Sequence, residues 1–342
     1  MSAADRIVLP FDPLGLERHL REVLPDLEGA MAIDPIAGGQ SNPTYRLRFA
    51  DRSVVLRKQP PGELLPSAHA VDREHRIQSA LQASAVPVPA MLHWCEDRAV
   101  VGTPFYVMEW LDGRVFHDST LPDVAPAERA AMYDSMNATM AALHTADWRA
   151  LGLEGFGRQG GYFTRQIKRW ARQYEASRTQ DIAEIEQLIA WLPAHLPEDD
   201  ETAVCHGDFR IGNLMFDRTE PRVIAVLDWE LATLGHPLAD VAFNCILYHS
   251  TAEEYGGVRG LDLERLGIPD QSAYLQAYYE RTGRTEPVTP WHLAFALFRF
   301  AVIFEGIADR VARGNAAAGE DAAKVAHLSR SFARRAVELA RI

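Results

Sequence analysis

The stretch VCHGDFRIGNLMFD, residues 204–217, followed by RVIAVLDWE, residues 222–230, decides how this 342-residue chain is read. Two short apolar runs, 203–205 and 223–227, bracket a polar loop carrying His206, Asp208 and Asn213, and the second run ends on Asp228. Short apolar runs bounded by polar turns read as strands. An aspartate in a loop between them can take a proton from an attacking hydroxyl, while Asn213 and Asp228 offer hard oxygen ligands suited to Mg²⁺. Magnesium of this kind serves phosphates, and phosphoryl transfer also needs a phosphate-contacting cation and a covering loop.

Candidates for both lie upstream. Residues 31–37 lead into Gly38-Gly39-Gln40-Ser41-Asn42, and residues 44–49 alternate Tyr45, Leu47 and Phe49 with Thr44, Arg46 and Arg48. That two-residue period belongs to a half-buried strand, and residues 53–58 continue it as an antiparallel meander. At the first hairpin tip, Gly38 and Gly39 let the backbone approach a phosphate, with Ser41 and Asn42 as donors. Within 53–58, Val55 and Arg57 share one face and Val54, Leu56 and Lys58 the other, so one cation points inward. Residues 69–83 read as a helix with Glu74 in its first half, a carboxylate placed to pair with that cation. Residues 91–94 and 105–110 are further strand candidates. Beyond residue 113 amphipathic helices replace strands, so the boundary is set at 108–113, dividing an N-terminal lobe, 1–110, from a helical lobe, 111–342.

In the second lobe, Met132, Met136, Met140 and Leu143 step down one helical face, a core pattern. Residues 161–192 read as one or two helices, 239–248 as a buried helix and 253–260 as a mobile loop. Residues 291–304, WHLAFALFRFAVIF, should run through the core, with Arg299 needing a carboxylate partner. At 14 residues that run falls short of the roughly 20 needed to span a bilayer, so no membrane association is expected. The 35 basic and 47 acidic residues give a net charge of −12, which disfavours general affinity for nucleic acid or anionic membranes. Cys95, Cys205 and Cys245 are far apart, odd in number and without a CxxC pair, so they read as reduced thiols. With no basic, apolar leader at residues 1–13, the expected location is cytoplasmic.

The motifs HGDFRIGNLMFD at 206–217, LDWELATLGHPLADVA at 227–242 and VVLRKQPPGELLPSAHAVDREHRI at 54–77 resemble the aminoglycoside phosphotransferase and choline kinase group, a branch of the protein-kinase-like fold. They are most similar to the kinase-like domains associated with acyl-CoA dehydrogenases, including FRFAVIFEGIADR at 298–310. The resemblance spans roughly residues 30–340. It implies an α+β, two-lobed fold: a small antiparallel sheet with one main helix, then a larger, mainly helical lobe. It implies ATP and Mg²⁺ as cofactors, Asp208 as catalytic base, Asn213 and Asp228 as metal ligands, and His206 as a structural hydrogen-bonding residue. Arg57 falls at the nucleotide-phosphate position with Glu74 as partner, and the backbone of Met108, Glu109, Trp110 and Leu111 would meet adenine. Asp240 matches a position bracing the loop after Asp228, and Glu230 serves the metal, the substrate or the fold.

The chain departs from protein kinases in carrying Arg57-Lys58 where those have a single lysine, and Trp229-Glu230 after the metal aspartate. Arginine keeps the charge but presents a planar fork, and Arg57 is preferred to Lys58 because it shares a face with Val55. Two readings compete with a kinase: a metal-dependent hydrolase using His206, Asp208, Asp228 and His236, and an inactive nucleotide-binding module. For the acceptor, a small molecule with a hydroxyl is expected. The resemblance points to a hydroxyacyl-CoA or hydroxy acid and to a functional link with acyl-CoA dehydrogenase, and an aminoglycoside or amino alcohol is the alternative. Tyr248, Tyr255, Arg299 and the loop at 253–260 are the candidates to line its pocket.

Overall fold

The computed structural model describes residues 9–36, 42–62, 69–313 and 322–342. They form two compact units, Met1–Asp112 with Asp228–Glu230, and Gly113–Leu227 with Leu231–Ile342.

The first unit contains helix α1 (Pro13–Val23), strands β1 (Ala32–Pro35), β2 (Thr44–Arg48) and β3 (Ser53–Lys58), helix α2 (Val71–Leu81), strand β4 (Met91–Cys95), the short helix α3 (Arg98–Val101) and strand β5 (Phe105–Glu109). The five strands form one antiparallel sheet ordered β1-β2-β3-β5-β4. Its alternation sorts the side chains by face. Tyr45, Leu47, Val54, Leu56, Phe105 and Val107 pack against Leu16 and Leu20 of α1. Arg57, opposite Tyr106 in the register, turns to the other face and meets α2. Lys58 belongs to the α1 face, where its Nζ donates to the Val101 carbonyl at 2.8 Å. Both cations are therefore withdrawn from solvent, where the sequence pattern called for one. A lysine's long apolar stem can be covered while its ammonium finds a carbonyl. Burial lowers the Lys58 pKa.

The second unit opens with β6 (Gly113–Val115) and α4 (Pro126–Thr145), then α5 (Tyr162–Ser177), α6 (Ala183–Ala194), β7 (Ala203–Cys205), β8 (Leu214–Asp217), β9 (Val223–Val226) and β10 (Thr233–Gly235). Helices α7 (Pro237–Asn244), α8 (Ala252–Tyr255), α9 (Leu263–Leu266), α10 (Gln271–Thr282), α11 (Pro290–Ala312) and α12 (Ala322–Ala340) follow. Strands β6-β8-β9 make one antiparallel sheet and β7-β10 a second. Met132, Met136, Met140 and Leu143 of α4 are fully buried.

Helix α11 runs 23 residues, past the expected end at 304: beyond it charged residues alternate with apolar ones, and Glu305, Gly306 and Ala308 are still buried, so packing carries the helix on through Gly306. It is thus long and apolar enough to cross a membrane, and 89% of its apolar window is buried within the unit. Arg299, on α11, has no carboxylate within ion-pair reach among the described residues. Its guanidinium donates to the Gly207 carbonyl and lies over Phe243 at 4.7 Å and Trp170 at 5.3 Å. A weakly hydrated planar cation is accommodated by a carbonyl dipole and ring faces. The segment expected as a mobile loop contains helix α8 with a capping box from Thr251 and Glu254, and Glu254 also binds Arg335 and Ser331 of α12.

Candidate active site

The loop after β7 is built by backbone hydrogen bonds to a buried carboxylate. Asp240 on α7 accepts from the His206 N–H at 2.5 Å and the Gly207 N–H at 2.9 Å. Gly207 has φ 84°, and a Cβ there would lie 2.7 Å from the Leu231 carbonyl oxygen, so the turn requires glycine. Although burial pushes the Asp240 pKa up, His144, His206 and the Gly207 N–H together hold it below its ordinary value. Asp240 was expected to brace the loop after Asp228; it braces the one entering Asp208. His206 is fully buried and bridges two segments. Its Nδ1 lies 3.2 Å from the Asp208 N–H, placed to accept from it, and its Nε2 faces the Leu227 carbonyl at 2.8 Å, placed to donate.

Asp208 follows with its side chain 25% exposed. The Asn213 Nδ2 donates at 2.8 Å to both the backbone oxygen and Oδ2 of Asp208, and the Arg210 Nε lies 3.3 Å from Oδ2. With Nδ2 fixed this way, the Asn213 amide presents its oxygen as the remaining hard ligand. Asn213 is held in turn through its N–H to the Arg210 carbonyl and its carbonyl from the Leu227 N–H.

In the first unit the centre is Glu74, 1% exposed on α2. Its carboxylate receives Arg57 Nε at 2.6 Å, the Tyr106 hydroxyl at 3.0 Å and Asn42 Nδ2 at 2.6 Å. Arg57 also reaches Thr44 Oγ1 at 3.3 Å and Asp228 Oδ1 at 3.1 Å. Burial disfavours the guanidinium's charge, yet Glu74 holds the Arg57 pKa above its ordinary value; burial and Glu74 likewise push Tyr106 well up. Asp228 is the exposed member, at 41%, with φ 61°, a left-handed conformation strained for a non-glycine residue and typical of functional positions. Of the two strand cations, Arg57 meets Glu74 and Lys58 does not.

Asn42, expected beside phosphate, directs its amide nitrogen to Glu74. Gly38, Gly39 and Ser41 lie outside the described residues. Along the segment expected to meet adenine, the Glu109 N–H bonds the Ala90 carbonyl and Trp110 lies under Arg46 at 4.1 Å; Met108 and Leu111 are half-buried. Glu230 is exposed in the turn Trp229–Leu231. His236, a ligand of the hydrolase reading, caps α7 with Nδ1 and places Nε2 3.1 Å from Asp199.

A pocket within the second unit is lined in part by Arg210, whose Nε lies 3.3 Å from Asp208 Oδ2. Its lining includes His117, Arg210, Asn244, Ser250, Tyr255 and Phe300. Tyr255 was anticipated there. Tyr248 instead bonds the Pro269 carbonyl, and Arg299 lies under Gly207. Arg210 was present in the HGDFR motif without a role, and Asn244 stands one helical turn beyond Asp240, on the same face of α7.

The sequence profile of the phosphotransferase enzyme family matches residues 32–283. Among curated proteins, mouse (Mus musculus) acyl-CoA dehydrogenase family member 10 is 45% identical over 88% of this chain, and chicken (Gallus gallus) acyl-CoA dehydrogenase family member 11 is 42% identical over 97%. This chain spans only 28% and 44% of those two proteins. A solved structure from Ralstonia eutropha JMP134, whose name assigns it to the aminoglycoside phosphotransferases, matches with TM-score 0.88 and 42% identity over 97% of this chain and 98% of its own. The aminoglycoside phosphotransferase APH(4)-Ia, solved with ADP and hygromycin B, shares the fold at TM-score 0.61 and 18% identity, over 94% of this chain and 98% of its own.

Proposed function

Since this chain belongs to the phosphotransferase enzyme family, we propose that it transfers the γ-phosphoryl group of ATP, with Mg²⁺, to a hydroxyl of a small-molecule acceptor. The observation that carries this reading is the Asp208–Asn213 pair: one amide nitrogen fixes the carboxylate, leaving the amide oxygen for a cation. Asn213 and Asp228 are hard oxygen donors and would hold Mg²⁺, which when bound neutralises phosphate charge. Asp208 takes the proton of the acceptor hydroxyl as its oxygen bonds to the γ-phosphorus, and the bond from that phosphorus to the β-phosphate bridging oxygen breaks to release ADP. Arg57, held by Glu74, supplies a permanent positive charge for the nucleotide phosphates. His206 and Asp240 hold the loop, so the base needs little reorganisation.

The acceptor we propose is a hydroxyacyl compound, a hydroxyacyl-CoA or hydroxy acid, in a pathway shared with an acyl-CoA dehydrogenase. Relatives that join a matching region to that name support it. The hydrolase alternative loses support because both His236 nitrogens already have partners. The test is ADP release with hydroxyacyl-CoAs, free hydroxy acids, amino alcohols and aminoglycosides, using Asp208→Asn as control. The variant is expected to bind Mg-ATP while turnover falls about 10²–10⁴-fold, the range for loss of a general base. Undiminished phosphotransfer by Asp208→Asn would falsify the assignment of the base, and nucleotide binding without turnover of any acceptor would favour an inactive module.

A further inference from the structure

Resting on that reading, the chemistry of the pocket narrows the acceptor further. Three observations bear on it. First, among the described residues the lining holds one permanent cation, Arg210, together with His117, and no aspartate or glutamate. Phe243, Ile246, Leu247 and Phe300 supply the apolar wall. A pocket for a polycation needs carboxylates to replace the water lost by each ammonium, since an unpaired buried charge is strongly disfavoured. Second, Asn244 is 2% exposed and its Oδ1 has no hydrogen-bond partner among the described residues, although its Nδ2 is fixed on the Phe209 carbonyl at 3.1 Å. Ser250, 1% exposed, likewise has an Oγ unpaired among the described residues. Orphaned buried polar atoms beside a pocket fit a ligand that carries its own hydroxyl or amide. Third, room is made for the guanidinium: a Cβ on Gly212 would come within 2.5 Å of Arg210 Nη1 and 3.4 Å of His117 Nδ1.

The adjacent Asp208 would attract an ammonium. Its Oδ2 already receives Asn213 Nδ2 and Arg210 Nε, so much of its field is answered locally. We infer that Arg210 is the residue that determines acceptor specificity: it binds an electron-rich oxygen group of the acceptor, a carboxylate or an acyl carbonyl, and excludes ammonium-bearing compounds. The apolar wall takes the hydrocarbon portion, and the acceptor's hydroxyl is left toward Asp208.

The test separates this from the kinase reading by measuring binding without nucleotide or turnover. Three probes of one chain length, a hydroxyalkanoate, its neutral amide and the matching hydroxyalkylamine, are titrated calorimetrically into wild type, Arg210→Met and Arg210→Lys. Wild type should bind the carboxylate best, the amide next and the amine at least about tenfold more weakly, the scale of one charge-assisted hydrogen bond. Arg210→Met should erase the order, and Arg210→Lys should restore part of the carboxylate preference. Gly212→Ala, which displaces the guanidinium while keeping its charge, should reduce the preference without reversing it. Wild type favouring the amine, binding none of the three, or keeping the same order in Arg210→Met overturns the assignment. ADP release from the same proteins is scored separately, so loss of the kinase reading leaves the binding result standing on its own.

Discussion

Each unit sets a buried carboxylate behind an exposed one, but by different means. In the first, Glu74 holds Arg57 and Arg57 holds Asp228, so the support passes through a charged side chain. In the second, Asp240 holds the N–H groups of His206 and Gly207, and the next residue is Asp208, so the support passes through backbone. The closed carboxylates are each 1% exposed, whereas Asp208 and Asp228 are 25% and 41% exposed. A side-chain relay fixes a charge and lets its position adjust; a backbone relay fixes geometry. In the proposed reaction the first suits nucleotide phosphates, and the second suits a base that must meet one hydroxyl.

The largest expected effect is at Asp240. Asp240→Ala leaves two buried N–H groups unpaired and should cost about 3–5 kcal/mol in stability, the range for removing one partner of a buried charged network. In whatever fraction stays folded, kcat should fall with little change in the KM for ATP, because geometry at Asp208 is lost. Glu74→Gln should cost somewhat less, about 2–3 kcal/mol, since a glutamine can still accept from Arg57 or Tyr106. Here the KM for ATP should rise more than kcat falls. If both substitutions change the same kinetic constant, the distinction between the two relays is wrong.

A group closed chiefly by burial, with His236 adding to the effect, makes an intermediate case. His292 is 3% exposed, its Nδ1 accepts from the Thr289 N–H, and burial pushes its pKa down to about 4. Unfolded, it titrates near 6.5. Between those values the unfolded chain binds more protons, so stability should decline as pH falls from 6.5 toward 4 and gain no further penalty from this residue below that. His292→Gln keeps an acceptor for Thr289 and should flatten that slope by about 2 kcal/mol over the window, read from urea midpoints. An unchanged slope would show that His292 is not the titrating group.

Much of this arrangement was legible because its determinants are local. The alternation of residues 44–58 gave strand faces directly, and Asp208 and Asn213, five residues apart, meet within one loop. What was not legible depends on partners distant in sequence. Lys58 is buried where a carbonyl 43 residues away accepts a hydrogen bond from its ammonium, and Arg299 donates to the Gly207 carbonyl 92 residues away. No periodicity announces a carbonyl acceptor. The role of Asp240 was shifted by one loop for the same reason, since its partners are backbone N–H groups common to every residue type. Arg210 stood inside the most recognisable motif and went unassigned; only the pocket lining, drawn from α7, α8 and α11, gives it a setting.

The smallest effect is expected at Glu254, where the residues read from sequence as a mobile loop are tied to α12. Its carboxylate accepts from Arg335 Nη1 and Nη2 at 3.1 and 3.0 Å, from Ser331 Oγ at 2.7 Å and from the Thr251 N–H at 2.9 Å. Burial acts to raise its pKa, but Arg335, Ser331 and the Thr251 N–H outweigh it and lower the value to about 2. A carboxylate with a depressed folded pKa stabilises fully above its unfolded value of 4.5 and loses that contribution as pH falls toward 2. Since the side chain is 17% exposed, solvent screening trims the benefit, and Glu254→Gln should cost about 1–2 kcal/mol at neutral pH. The difference between wild type and variant should close progressively below pH 4.5. Tyr255, the next residue, lines the pocket, so the same variant should weaken carboxylate binding several-fold less than Arg210→Met does. Were Glu254→Gln to match Arg210→Met, the position of α8 rather than the charge of Arg210 would govern the pocket.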